Sequence, residues 1–191
     1  KQNINIITIK DIIYYLCKMN EVSNLSNEIA EQEKAEFRNN VVDFEANLRQ
    51  TEGSFIGDNA VCPLKHTFAD GIYVREIFIP AGAVLVGKIH KHGHPNFLMS
   101  GEVEVVTEGG GAERLVAPLS MISSAGTKRV VYTITDTVWV TIHHNPTNTQ
   151  DLAKLEKIVI ADSYEDYEKF KKIENNKFVS LYKKIIKKLI S

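Results

Sequence analysis

The middle of the chain, from residue 60 to residue 146, consists of short runs in which apolar and polar residues alternate. Alternation with a period of two is typical of strands that bury one face. The predicted strands are Val61–Phe68, Ile72–Ile79, Val84–His90, Asn96–Met99, Glu102–Thr107, Glu113–Val116, Leu119–Ser123, Lys128–Thr133 and Thr137–His143. Asp70-Gly71 and the triple glycine Gly109–Gly111 are predicted hairpin turns. Many short strands at close spacing indicate a β sandwich or barrel.

Both flanks of this region show apolar residues at helical spacing instead. On the N-terminal side the pattern predicts helices over residues 4–19 and 26–50, separated by a break at 20–24. On the C-terminal side it predicts a helix at 149–157, a brief strand at 158–160, and helices at 164–173 and 177–190. The chain therefore divides into an N-terminal helical extension (1–59), a β domain (60–146) and a C-terminal helical extension (147–191).

The last predicted helix is amphipathic and basic, with Lys183, Lys184, Lys187 and Lys188 near its end. A helix of this kind can lie on a membrane surface or on nucleic acid. More often its apolar side packs on the protein's own fold and its lysines stay in water. We adopt that second interpretation.

Composition excludes several classes of protein. The 191 residues are 43% hydrophobic, which is enough for a core, and the net charge of −1 gives no general attraction to nucleic acid or membranes. No apolar run is long enough for a transmembrane helix, and the beginning of the chain lacks the features of a signal peptide. Cys17 and Cys62 lie in different predicted regions, so we expect no disulfide framework and a reducing compartment.

Three of the six histidines, His90, His92 and His94, occupy every second position of one short stretch. If that stretch is extended, all three imidazoles point to the same face. Neutral imidazole is a ligand for zinc, iron, nickel and other divalent ions. The pattern therefore predicts a metal site, whereas the alternative is a solvated strand end that coordinates nothing.

His143 and His144 end the last predicted strand and are candidates for the rest of the site. Alternation places His144 on the same face as Val138, Val140 and Ile142. That face is the more apolar of the two and would naturally face the core. This argument favours His144, but spacing alone leaves the choice open.

The β domain resembles the cupin superfamily. The likeness rests on Gly87-x-x-His90-x-His92, on Gly101 opening the next strand, and on a second block that runs from Ala117-Pro118-Leu119 to Ala125-Gly126-Thr127. The amino-acid sequence of both blocks is similar to that of small cupin proteins of tailed bacteriophages, most of which have no assigned activity. The resemblance implies a mainly β fold, a cupin-type sandwich or barrel (jelly roll), with helical extensions at both ends. Its phage-type pattern, in which the strand ends Thr-Ile-His, favours His143.

Two positions depart from the cupin pattern. Asn96 stands where the first motif has a glutamate, and Arg129 stands where the second has a histidine. An arginine stays protonated and cannot bind a metal ion. The ligand set that the resemblance implies is therefore His90, His92, His94 and His143, for a divalent ion such as Fe, Mn, Ni or Zn.

Three charged residues have two interpretations each. Glu76 would add a carboxylate ligand if it pointed inward, although a surface glutamate at a strand edge is the simpler interpretation. Lys128 and Arg129 would hold an anionic ligand at the barrel mouth, or else they form a solvated hairpin.

Two functional hypotheses follow. The first is a binding or structural module, implied by the phage resemblance to act in a virion or in the host cytoplasm, as a homo-oligomer and in contact with other virion proteins. The second is a metal-dependent enzyme of the dioxygenase or isomerase class that acts on a small molecule. We expect neither a nucleic acid nor a membrane as partner. We assign no catalytic residue, because no Ser-His-Asp or Cys-His arrangement is evident.

Overall fold

Eleven strands and three helices make up the described part of the chain. The computed structural model describes residues 9–57, 60–108 and 111–190, with side chains from residue 27 to residue 188 within those ranges. Residues 4–8 of the first predicted helix, and Gly109 and Gly110 of the predicted triple-glycine turn, lie outside the described residues. Asp70-Gly71 forms the predicted hairpin turn, in which Gly71 has a φ of 74° that a glycine adopts without strain.

The strands form two main antiparallel sheets. They are β1 (Leu64–Ala69), β2 (Ile72–Ile79), β3 (Val84–Val86), β4 (Ile89–His90), β5 (His94–Ser100), β6 (Glu102–Thr107), β7 (Gly111–Val116), β8 (Leu119–Ser123), β9 (Arg129–Thr133), β10 (Thr137–His144) and β11 (Ile160–Ala161). One sheet has the order β1-β2-β10-β5-β8 and the other the order β3-β9-β6-β7, while β4 pairs with β11. This is the mainly β, cupin-type sandwich with helical extensions that the sequence predicts.

The hydrophobic core lies between the two main sheets. It is formed by inward side chains from both, namely Leu98, Val103, Val105, Leu115, Val131 and Trp139. Val103 and Val105 alternate with Glu102 and Glu104, as expected for a strand with one face against the opposite sheet.

One predicted strand, Val84–His90, is divided in the structure. After β3 the Gly87 amide donates to the Arg129 carbonyl oxygen at 2.8 Å, and the chain then leaves that sheet. β4 pairs instead with β11, where Ile160 is opposite His90. The C-terminal extension therefore contributes a strand to the edge of the sandwich, and this strand fixes the backbone of His90.

Two of the three helices, the first and the last, are longer than predicted. The three are α1 (Ile9–Leu48), α2 (Leu152–Val159) and α3 (Tyr164–Ile190). The predicted breaks at 20–24 and 174–176 are wrong, because those segments are polar but contain neither proline nor glycine to end a helix. At the start of α2, the Asp151 carboxylate accepts hydrogen bonds from two backbone amides. Asp151 therefore caps the N-terminus of this helix and defines where it begins.

The end of α1 is attached to the β sandwich by buried charges. Lys128, only 8% exposed, pairs with Glu45 of α1, with 2.6 Å between Nζ and Oε2. Arg38 of α1 donates to Glu108 at 3.2 Å and lies 3.5 Å from Glu168 of α3. Lys128 is therefore not a solvated hairpin residue but an anchor for the N-terminal extension.

The two halves of α3 differ in burial. The first half packs Tyr167 against Ile89 and Ala161. In the second half, Phe178 is 70% exposed and Leu181 is 58% exposed. The expectation that this apolar side packs on the protein's own fold is therefore wrong for the described residues. Across the ranges the structure describes, no helix has both the length and the apolar character needed to cross a bilayer.

Candidate metal centre

Three histidines from three strands meet inside the sandwich. They are His90 of β4, His94 of β5 and His143 of β10. Their ring centroids are 4.2 Å apart for His90 and His94, 4.6 Å for His94 and His143, and 5.0 Å for His90 and His143. One nitrogen from each ring lies within 4.8 Å of the other two. The resemblance suggested all three residues, and the structure brings them together.

The strand β10 turns its polar face inward. Trp139, Thr141 and His143 are buried, whereas His144 is exposed. His143, and not His144, therefore faces the cluster, and the argument from the more apolar face is wrong. That argument fails because inward polar groups have partners here: the Trp139 indole N–H donates to the Asn96 side-chain oxygen at 3.0 Å.

Backbone pairing fixes the other two histidines. The His90 carbonyl oxygen accepts a hydrogen bond from the Gly126 amide at 2.8 Å, and β11 holds its other side. His94 is opposite Ser123 in the pairing of β5 with β8. Neither ring therefore depends on a mobile loop for its position.

His92 lies outside this cluster. The chain turns between β4 and β5, so residues 90–94 are not one continuous strand. His92 is exposed, and its ring meets the edge of Phe170 in α3 at a centroid distance of 5.2 Å. The expectation that His90, His92 and His94 share one face is therefore wrong, because alternation holds only while a strand continues.

Burial keeps the three imidazoles neutral. Burial, followed by the neighbouring positive charges, lowers the pKa of His90 to about 2 and the pKa of His143 to about 3. Burial also lowers the pKa of His94. At neutral pH each ring therefore has a nitrogen lone pair, which is the form that binds a metal ion.

The donor set fits a divalent transition metal. The His94 Nδ1 lies 3.2 Å from the His92 carbonyl oxygen. Since a carbonyl oxygen only accepts, Nδ1 carries the proton in this contact and Nε2 keeps its lone pair. The donor nitrogens lie within 4.8 Å of one another, which is near the spacing of about 4 Å that a shared ion with bonds of about 2.1 Å requires.

The two positions that depart from the cupin pattern also face the interior. Asn96 donates to the Ser123 hydroxyl at 2.7 Å and to the His94 carbonyl oxygen at 3.1 Å, so it supports the site without binding the ion. The Arg129 guanidinium donates to the Ser123 hydroxyl and lies 5.7 Å from the Trp139 ring centroid. Arg129 therefore lines the site instead of lying in a solvated hairpin.

Glu76 points away from the histidines. It pairs with Lys65 on the outer face, with 3.8 Å between the charged atoms, and its side chain is 40% exposed. The surface interpretation of Glu76 is correct, and no carboxylate joins the three histidines among the residues described here.

Tyr73 and Arg75 of β2 are neighbours of the site that the sequence analysis did not assign to it. Tyr73 is opposite His143 in the sheet and Arg75 is opposite Thr141, and the Tyr73 and His143 rings stack at 5.9 Å. Alternation in β2 puts Arg75 and Glu76 on opposite faces, so one of them was expected to line the barrel. Only the register between β2 and β10 shows that Tyr73 and Arg75 lie beside His143 and Thr141.

Comparisons with known proteins give likeness in fold only. No protein-family profile matches the chain, and no curated protein does. A double-stranded β-helix protein from Klebsiella pneumoniae is 16% identical, with a TM-score of 0.40 over 49% of this chain and 84% of that one. An RmlC-like cupin family protein from Methanocaldococcus jannaschii is 12% identical, with a TM-score of 0.39 over 48% and 86%. Ectoine synthase from P. lautus is 14% identical, with a TM-score of 0.43 over 59% and 83%.

Proposed function

We propose that this protein is a metal-dependent enzyme that binds one divalent transition-metal ion through His90, His94 and His143 and acts on a small molecule inside the sandwich. The observation that supports this proposal is the meeting of three neutral imidazoles, two of them buried and that of His90 partly buried, with donor atoms within 4.8 Å of one another. Packing alone gives no reason for such a cluster. Apolar rings would bury the same surface without the cost of removing polar nitrogens from water.

The number of ligands favours a reactive centre over a structural one. Structural zinc sites have four protein ligands, whereas catalytic sites have three and leave a position open. The residues that the structure describes offer three here, since Asn96 is engaged with Ser123 and Trp139. A bound ion would supply Lewis-acid or redox chemistry to a ligand in the open position.

Elemental analysis of the purified protein tests the metal site. We expect close to one equivalent of iron, manganese, nickel or zinc in the wild type. His94→Ala and His143→Ala should both lose it. His92→Ala and His144→Ala are matched controls, because each removes a histidine one or two positions away that lies outside the cluster. Absence of metal from the wild type, or equal loss in the controls, would refute the proposal.

Loss of fold has to be separated from loss of ligand. Far-ultraviolet circular dichroism of each variant should match that of the wild type, because both alanine variants keep the backbone pairing of β5 and β10. A conservative variant, His143→Gln, gives a second check, since it keeps a polar side chain of similar size. It should retain the fold and still bind metal poorly.

A role in assembly is the second candidate, and the exposed second half of α3 favours it. Phe178, Leu181 and Ile185 are at least half exposed. Glu33 and Glu36 of α1 are exposed and acidic, so their charge is opposite to that of the lysines of α3. Light scattering after size exclusion should show an oligomer that Leu181→Asp dissociates, and a monomeric wild type would refute it. The bacteriophage origin and contacts with virion proteins stay predictions.

A further inference from the structure

A partly buried arginine faces the histidine cluster. Arg129 begins β9, and its side chain packs over Gly87 and beside Trp139. Its positive charge contributes to the lowered pKa values of both His90 and His94. The guanidinium therefore lies close enough to act on anything bound at the proposed metal ion.

This guanidinium has no carboxylate partner among the described residues. Its hydrogen bond is to the Ser123 hydroxyl, and burial alone accounts for the lowered pKa of Arg129. Arg114 shows the contrast, because Glu102 accepts its hydrogen bond and raises its pKa. Burying a positive charge without a counter-ion is costly unless a ligand supplies the negative charge.

The rest of the site adds positive charge and no negative charge. The fixed charges that act on His90, His94 and His143 come from Arg75 and Arg129, and within the described ranges none comes from a carboxylate. A divalent ion held by three neutral imidazoles would add two further positive charges. Such a site has a net positive charge until an anion binds in it.

We propose that the small molecule bound at this centre carries a carboxylate group and that Arg129 binds that group. The inference deepens the proposed function and rests on it, because the proposed metal ion defines where the reacting part of the ligand lies. A carboxylate is favoured because its two oxygens match the planar fork of a guanidinium, which gives bidentate binding.

Fluorescence of Trp139, the single tryptophan, provides a direct readout of binding next to Arg129. The purified protein is titrated with acetate, glycolate, succinate and 2-oxoglutarate at constant ionic strength, and with acetamide and succinamide as neutral analogues. Sulfate and phosphate are titrated as alternative oxyanions. Each titration is repeated after EDTA treatment and with Arg129→Gln, Arg129→Lys and Arg114→Gln. Arg114→Gln is the matched control, since it removes the same charge from an exposed pair.

We expect at least one carboxylate to bind saturably while its amide does not. Arg129→Gln should weaken binding at least about tenfold, as expected for the loss of a hydrogen bond to a charged group. Arg129→Lys should weaken it less, and Arg114→Gln should leave it unchanged. The metal content of Arg129→Gln should equal that of the wild type, because Arg129 is not a ligand of the ion.

Four results would overturn the inference. They are no binding of any carboxylate, equal binding by Arg129→Gln, tighter binding of sulfate or phosphate than of every carboxylate, and loss of metal in Arg129→Gln. Failure of the metal proposal gives a different result. In that case elemental analysis finds no metal, and carboxylate binding that depends on Arg129 persists unchanged after EDTA treatment.

Discussion

Acid should destabilise this protein through the histidine cluster. His90 and His143 are neutral when folded, with pKa values lowered to about 2 and about 3, whereas an unfolded histidine titrates near pH 6.5. Below about pH 6.5 the unfolded chain therefore binds more protons than the folded one. The stabilising contribution of these two groups is complete above that pH and is lost as the pH falls toward their folded pKa values.

The size of the effect follows from linkage. Each such group lowers the free energy of unfolding by about 1.4 kcal/mol per pH unit in this range. Two groups over two pH units, from 6.5 to 4.5, lose about 5 kcal/mol. Since domains are commonly stable by only about 5–15 kcal/mol, we expect metal-free protein to unfold in mild acid.

Urea unfolding of EDTA-treated protein, followed by Trp139 fluorescence between pH 7 and pH 4.5, measures this slope. Carboxylates of lowered pKa, such as Glu45, add to the slope in every variant, so the informative quantity is a difference between proteins. His90→Gln cannot titrate and should be less steep than the wild type by about 1.4 kcal/mol per pH unit. His144→Gln removes an exposed histidine and is the control. Equal slopes for the wild type and His90→Gln would refute the reasoning.

Three further predictions concern stability. Lys128→Met should lower the free energy of unfolding by about 2 kcal/mol in urea titrations, because it removes one of the two cationic partners of Glu45 and leaves Arg49 as the other, and adding Glu45→Gln should recover part of that loss. Gly126→Ala should lower the melting temperature more than Gly82→Ala does. Both glycines have positive φ, but only at Gly126 would a Cβ lie 2.4 Å from a tyrosine ring of α3. Zinc at about 100 times its Kd should raise stability by about 2.7 kcal/mol at pH 7, and calorimetry showing no shift would contradict the metal site.

The sequence determined the strands and most of their boundaries. Predicted and observed strands coincide at Ile72–Ile79, Glu102–Thr107 and Leu119–Ser123. Alternation works here because a strand in a two-layer sandwich has one face against the opposite sheet. The helical flanks were predicted from apolar residues at helical spacing, which also reflects one buried face. Polar segments without proline or glycine were mistaken for breaks in these helices.

The tertiary structure decided which residues form the site. Local pattern placed His90, His92 and His94 on one face, but β4 leaves its sheet to pair with β11 and the turn after it carries His92 outward. His143 points inward because residues of neighbouring strands provide hydrogen-bond partners for the polar face of β10, as Asn96 does for Trp139.

Lys128 and Arg129 show the same division. Because they are adjacent in sequence, both residues were given the same two interpretations, which were binding an anionic ligand at the barrel mouth and forming a solvated hairpin. In the structure Lys128 pairs with α1 and Arg129 lines the histidine site. Local periodicity arises from backbone geometry within a few residues, so the sequence determines it alone. Which groups meet depends on pairings between distant segments, and only the packed fold determines those.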